Sequence, residues 1–336
     1  MTKKSLSASV FGIGLLLCST PLNTGTVHAT PSACVFETNA TVMTLLGDCV
    51  TDTTLQIPDG FTMDLAGFTV VAVDPSGGHF LGAVIANAGA WAAVENGTVT
   101  TSNLTNTCDG GGPPDTRLRG VMFDGAAGHI RDMSIDNINQ GASGCQEGNA
   151  IEVRNAPFDG THPNTLKVEV WGNVLVNWQK TGIVANGDVD VWIHHNVINS
   201  SATQANLAAN SLQAGFGGKI LAEHNHIAGN SWSGPSDYAS ASILLYLSAP
   251  GTIVRQNVMM DGNSDVGIYI YADGVTVDNN KVFESGTDTN QFGYDIGVGN
   301  WGTGNVVTNN KSKGYSTPYD GVVDGKNKAI PSPSNQ

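Results

Sequence analysis

The sequence predicts an all-β solenoid, a single chain wound as a right-handed parallel β-helix of about nine to ten coils with a short N-terminal cap. Three observations carry that expectation. The first is a repeated phrase, most legible at residues 191–198, in which an alternating strand runs into an Asn and a second short apolar strand follows at once. It recurs around Asn173, Asn196, Asn225, Asn257, Asn280 and Asn310. The second is the spacing of those anchors, 23, 29, 32, 23 and 30 residues, a period of about 22 with insertions that marks stacked repeats. The third is composition: 13% charged residues and 42 Gly in 336, rich in Asn, Thr and Val, suit strands and turns better than long helices.

The repeated Asn has a mechanical reason. A sharp bend between two strands needs one residue in the left-handed conformation, which Gly and then Asn or Asp adopt most cheaply. Stacked at the strand spacing, the amides can also hydrogen-bond from coil to coil. These Asn residues are therefore expected to be conformational, not catalytic.

In chain order, residues 1–29 read as a secretory signal: Lys3 and Lys4, an apolar run over 10–18, then Val27, His28 and Ala29 with small residues flanking a cleavage site. The run is too short for a permanent membrane anchor, no second one follows, and the expected location is secreted or periplasmic. The formal charge is −14, and loss of the signal removes two lysines and no acid. So acidic a surface argues against nucleic acid as a partner, and against a polyanionic ligand unless basic groups are concentrated locally. Cys34, Cys49, Cys108 and Cys145 remain, enough for two disulfides, with Cys34–Cys49 and Cys108–Cys145 the expected pairs because each brackets one local loop.

Residues 38–47 carry Val42, Leu45 and Leu46 at helical spacing, and a short helix is expected to cover the open sheet end. Strict alternation over 55–70 makes the first coil, and the coils continue through residue 315, giving a β-helix domain over 30–315 and an irregular tail over 316–336. Residues 103–119, 141–148 and 155–164 are loops, rich in Gly, Pro and Asp, of the kind that wall a groove on a rigid solenoid.

Alternation sorts the side chains. In the strand before each Asn, residues three and five earlier point inward, and those two earlier form an outward column of Trp171, His194, Glu223, Arg255, Asp278 and Thr308. In the strand earlier in each coil, read at 120–124, 150–154, 182–186, 215–219, 244–248, 267–271 and 295–299, the outward set is Met122, Asp124, Glu152, Arg154, Asn186, Lys219, Tyr246, Tyr269 and Tyr271. This set allows β-elimination on a uronic-acid polymer, with Arg154 neutralising the carboxylate, Lys219 or a Tyr as base, and Tyr269 or Tyr271 as acid. It also allows inverting hydrolysis by Asp124 and Glu152 with a water between them. Tyr246 and Tyr271, with Asn186, His194 and Arg255, are candidate sugar contacts, and a non-catalytic glycan-binding or adhesion protein is the third reading. A polysaccharide or cell-surface glycan is the expected partner of a monomer. No metal site is expected from the Cys spacings, and calcium as a cofactor is possible but has no motif.

The run Leu55, Ile57, Gly60, Asp64, Leu65, Gly67 and Val70 resembles the first coil of exported right-handed parallel β-helix proteins of the pectate lyase-like superfamily. Val191, Trp192, Ile193, His194 and His195 are similar to a strand segment of the pectate lyases themselves, in which Asp stands at the place of His194. The calcium-binding acids and the arginine motif of that family are not present, nor is the catalytic set of polygalacturonase-like hydrolases. The resemblance therefore implies the architecture and not a particular reaction.

Overall fold

The computed structural model describes residues 33–110, 115–141, 144–199, 207–230, 232, 234, 238–262, 264–284, 293–323 and 325–331. The expected signal segment lies outside them. Among the described residues there are thirty strands and no helix, in one ten-stranded and one twenty-stranded sheet. A typical lap contributes one strand to the first (Thr181–Gly187) and two to the second (Val189–His194 and Val197–Ile198). Ten strands in the first sheet correspond to ten laps, and the lap-to-lap pairing is parallel.

The inner filling follows from the two-residue alternation. Ile151, Ile183, Leu212, Ile243, Ile268 and Val298 lie side by side, each fully buried. Val191 beside Ile220, and Ile193 beside Ala222, which in turn lies beside Val254, do the same in the second sheet. Each lap thus sets aliphatic side chains over like ones, and truncating an Ile or Leu among them to Ala costs about 2–5 kcal/mol in transfer and cavity energy.

The Asn residues turn the chain differently from the expectation. The residue in the left-handed conformation is the one before each anchor: Gly172 (φ 67°), His195 (54°), His224 (56°), Gln256 (55°), Asn279 (52°) and Asn309 (56°). The anchors themselves point inward, at most 1% exposed. From Asn173 through Asn196, Asn225, Asn257 and Asn280 to Asn310, each Nδ2 donates to the Oδ1 of the next at 2.9–3.0 Å, and Asn327 continues the column. Each Oδ1 also accepts the backbone N–H of the Asn below it. The amide is selected for the ladder, and the strained backbone is shifted one residue upstream.

Both ends differ from the sequence expectation. Phe36–Asn39 and Val42–Leu45 form an antiparallel hairpin, not a helix, and the second strand pairs with Phe61–Asp64 to cover the first coil. Leu45 is buried while Val42 and Leu46 are exposed, so a two-residue period places them and the apparent helical spacing was an accident of a short segment with Thr at 38, 41 and 44. Beyond Tyr315 the winding goes on: Thr317–Asp320 joins the ten-stranded sheet and Lys328–Ile330 the other. Both expected disulfides are present, Cys34–Cys49 pinning the hairpin to the first coil and Cys108–Cys145 joining two loops. No helix of the described residues is long and apolar enough to cross a membrane.

Candidate functional site

The outer face of the ten-stranded sheet carries two neighbouring columns. One runs Asp124, Arg154, Asn186, Gly215, Tyr246, Tyr271, and the other Met122, Glu152, Val184, Gln213, Leu244, Tyr269. Seven of the ten candidate catalytic and ligand-contacting residues therefore share this face. The other three do not. Lys219 opens a strand of the twenty-stranded sheet and sits 3.3 Å from Asp190, because the chain leaves the first sheet at Gly215 and turns through Phe216 (φ 51°) and Gly217 (φ 89°). His194 and Arg255 lie on that second sheet as well, bonded to Glu169 (3.0 Å) and Glu223 (2.7 Å).

At the lower end of the face a loop brings Asp115 over the sheet. Its carboxylate accepts from Arg117 (2.6 Å), Arg119 (3.3 Å) and Arg154. Burial pushes the Asp115 carboxyl up, but the hydrogen bond from Arg117, the charge of Arg119 and the bond from Arg154 outweigh it and hold the group well below the usual carboxylate range. Arg119, 1% exposed, also bonds Glu152, which takes a second bond from Asn149 (2.9 Å). Arg154 reaches Asp124 at 2.9 Å, and although burial lowers its pKa, the charges of Glu152 and Asp124 leave it raised. Asp124, Glu152 and Arg154 are thus an interlocked set, not free groups. Glu147, fully buried, accepts the N–H of Asp109 and of Leu118 and so fastens the same loop.

Above this network opens a cleft of about 670 Å³ walled by Phe216, Trp232, Tyr246, Tyr269 and Tyr294, with Lys180 at its edge. A smaller cleft of about 300 Å³ continues from it and shares Gln146, Lys180, Gln213 and Phe216. That smaller cleft is lined by Arg117, Arg119, Arg154 and Lys180 against a single acid, Glu152. In a chain with 15 Lys and Arg against 29 acids this gathers four cations on one wall, the arginines being paired from behind by Asp115 and Asp124. The Lys180 Nζ donates to the Ala208 carbonyl at 2.7 Å, and desolvation lowers its pKa to about 8. Burial also raises the Tyr269 phenol. The Asn149 and Asn186 side-chain oxygens are buried here without a hydrogen-bond partner, acceptors available to hydroxyl donors.

The expected walls are confirmed in part by position: Arg117 comes from the first loop, Gln146 from the second and Phe158 from the third. Lys180 was not found from the sequence, because it precedes the strand Thr181–Gly187 and alternation does not reach it. Asp115 and Arg117 were missed because loop residues have no register. Among the described residues the one cluster of three metal-type ligands is Cys108, Cys145 and Glu147, whose sulfurs are spent on each other. No curated protein matches the chain. A family description of the right handed beta helix region does match, over residues 116–313, which spans the face from Asp124 to Trp301 and the second and third loops. The lap architecture and this match agree, and the chain belongs to the right-handed β-helix family.

Proposed function

We propose that this protein is an exported, monomeric carbohydrate-active enzyme that holds an anionic polysaccharide or cell-surface glycan along the outer face of the ten-stranded sheet and cleaves it by β-elimination. The observation that carries the reading is Lys180, a lysine brought to about 8 by desolvation at the junction of a cationic and an aromatic cleft. In its neutral form it accepts the proton from the carbon next to the uronate carboxyl. The electron pair left behind forms the C=C bond, the C–O bond to the next sugar breaks, and a phenol in the cleft protonates the leaving oxygen. Tyr269, kept in its phenol form by burial, and Tyr294 are the donors at hand. The carboxylate is met by Arg117, the most exposed of the three guanidinium groups, which Arg119 and Arg154 support through the shared Asp115. Lys180 replaces Lys219 in this scheme.

The hydrolase reading is the weaker one, because both of its acids are engaged: Glu152 is 2% exposed and bonded by Arg119 and Asn149, and Asp124 by Arg154. Incubation with a panel of uronate polysaccharides tests the proposal. Unsaturated ends absorbing in the ultraviolet are expected from the wild type and from Lys219→Met, and none from Lys180→Met. Reducing ends formed without that absorbance would sink the elimination mechanism.

A further inference from the structure

Further along the groove the chemistry changes from charge to rings. Phe216, Tyr246, Tyr271 and Trp301 are 37%, 37%, 45% and 38% exposed. Tyr246 stacks on Tyr271 with centroids 5.4 Å apart and 18° between planes, Phe216 meets Tyr246 edge-on at 5.5 Å, and Trp301 leans on Tyr269 at 4.5 Å. The indole lies folded back on Gly299, where a Cβ would come within 2.2 Å of the ring, so this position requires Gly for the Trp to reach the sheet face. These rings face out side by side, lap upon lap, where a core residue would face in.

The belt is also distinct in charge. The cleft of about 430 Å³ that contains Tyr271 and Trp301 is lined by two acids, Asp159 and Asp273, and by no cation. The Arg154 end is lined by four cations and one acid, Glu152. Arg154, Asn186, Gly215 and Tyr246 are successive in one column, so Tyr246 lies three strand spacings, roughly 14 Å, from Arg154, and Phe216, which also lines the cationic cleft, joins the two ends.

We propose that Phe216, Tyr246, Tyr271 and Trp301 form a stacking subsite for uncharged pyranose units, and that the ligand is a heteroglycan carrying its uronate at the Arg154 end and neutral sugars toward Trp301. Aromatic faces bind the C–H faces of sugar rings without needing charge, and the two acids turn away a second carboxylate. The inference rests on the reading of this groove as a glycan site but not on the reaction.

The test is affinity electrophoresis of the full chain at pH 6, where Lys180 is charged, in gels holding polygalacturonate, hydroxyethyl cellulose or xanthan, whose glucuronate is flanked by neutral sugars. Xanthan is expected to retain the protein best. Trp301→Ala and Tyr271→Ala are each expected to weaken that retention by about tenfold, an effect of the size of one aromatic contact, and to leave retention by polygalacturonate unchanged. Trp301→Phe, which keeps a ring, is expected to restore most of it and guards against loss of fold. Equal weakening for both glycans, no weakening for xanthan, or no retention by xanthan at all would overturn the inference. Ring-dependent retention of xanthan without any unsaturated product at higher pH would uphold the subsite while removing the elimination mechanism.

Discussion

The outer faces of the two sheets are built from the same laps by the same alternation, and they have opposite chemical character. On the twenty-stranded sheet the outward column is self-satisfying: Arg131 bonds Glu95 (2.6 Å), His194 bonds Glu169 (3.0 Å), Arg255 and Trp192 both bond Glu223 (2.7 and 2.9 Å), and Thr308 bonds Asp278 (2.7 Å). Each lap there supplies the partner of the one below. On the ten-stranded sheet Arg154 has a strand partner, Asp124, but also takes a second carboxylate, Asp115, from a loop, and higher up polar groups give way to rings. A strand ladder neutralises itself. An insertion that reaches over the sheet leaves room for something else to bind.

The comparison breaks most sharply at Lys180. Lys180→Met is expected to lower kcat about 10²–10⁴-fold, the range for loss of a general base. Lys219→Met, on the opposite sheet, is expected to leave it unchanged. With Lys180 near 8, kcat should rise as pH climbs through that value, since the neutral amine is the active form.

Asp115→Asn comes next. It leaves three arginines facing one another without their shared carboxylate, and the expected loss is about 3–5 kcal/mol in denaturant unfolding, the cost of breaking a buried pair. The Asp115 pKa is depressed in the folded protein relative to the unfolded chain, so its contribution is complete at neutral pH and is lost as pH falls toward the folded value. The variant should therefore show a shallower loss of stability between neutral and acid pH than the wild type.

Asn225→Ala, in the middle of the amide column, removes the acceptor for the Asn196 Nδ2 and backbone N–H and should cost about 2–3 kcal/mol, with the groove unaltered. The smallest effect belongs to the self-satisfied face: Arg255→Ala removes a half-exposed guanidinium while Glu223 keeps its bond from Trp192, and it is expected to change stability by less than about 1 kcal/mol and activity not at all. A large loss of activity there would reverse the assignment of the two faces.

What the sequence made legible follows the same division. Where a side chain sits within a strand, parity alone decides its direction, so Glu152, Arg154, Asn186, Tyr246, Tyr269 and Tyr271 were readable as one face, and Trp171, His194, Glu223 and Arg255 as another. Parity fails at turns. Gly215, Phe216, Gly217 and Gly218 hide the point at which the chain passes from one sheet to the other, and Lys219 was carried across with the wrong neighbours. Lys180 and Asp115 lie outside any strand, and their positions are fixed by long-range packing that no local pattern encodes. The left-handed turn residue was misplaced by one because Asn satisfies both the torsional and the hydrogen-bonding argument, and only coordinates separate the two.

The amide column has a polarity. Every Nδ2 from Asn173 to Asn310 points toward the C-terminal end and every Oδ1 receives from the N-terminal side, beginning with the Met133 backbone N–H. A stack cut short on its C-terminal side therefore ends on an open donor, and one cut short on its N-terminal side on an open acceptor. The two ends of any partial stack are thus chemically unlike, a donor at one and an acceptor at the other, and the aligned amide dipoles strengthen as the stack lengthens.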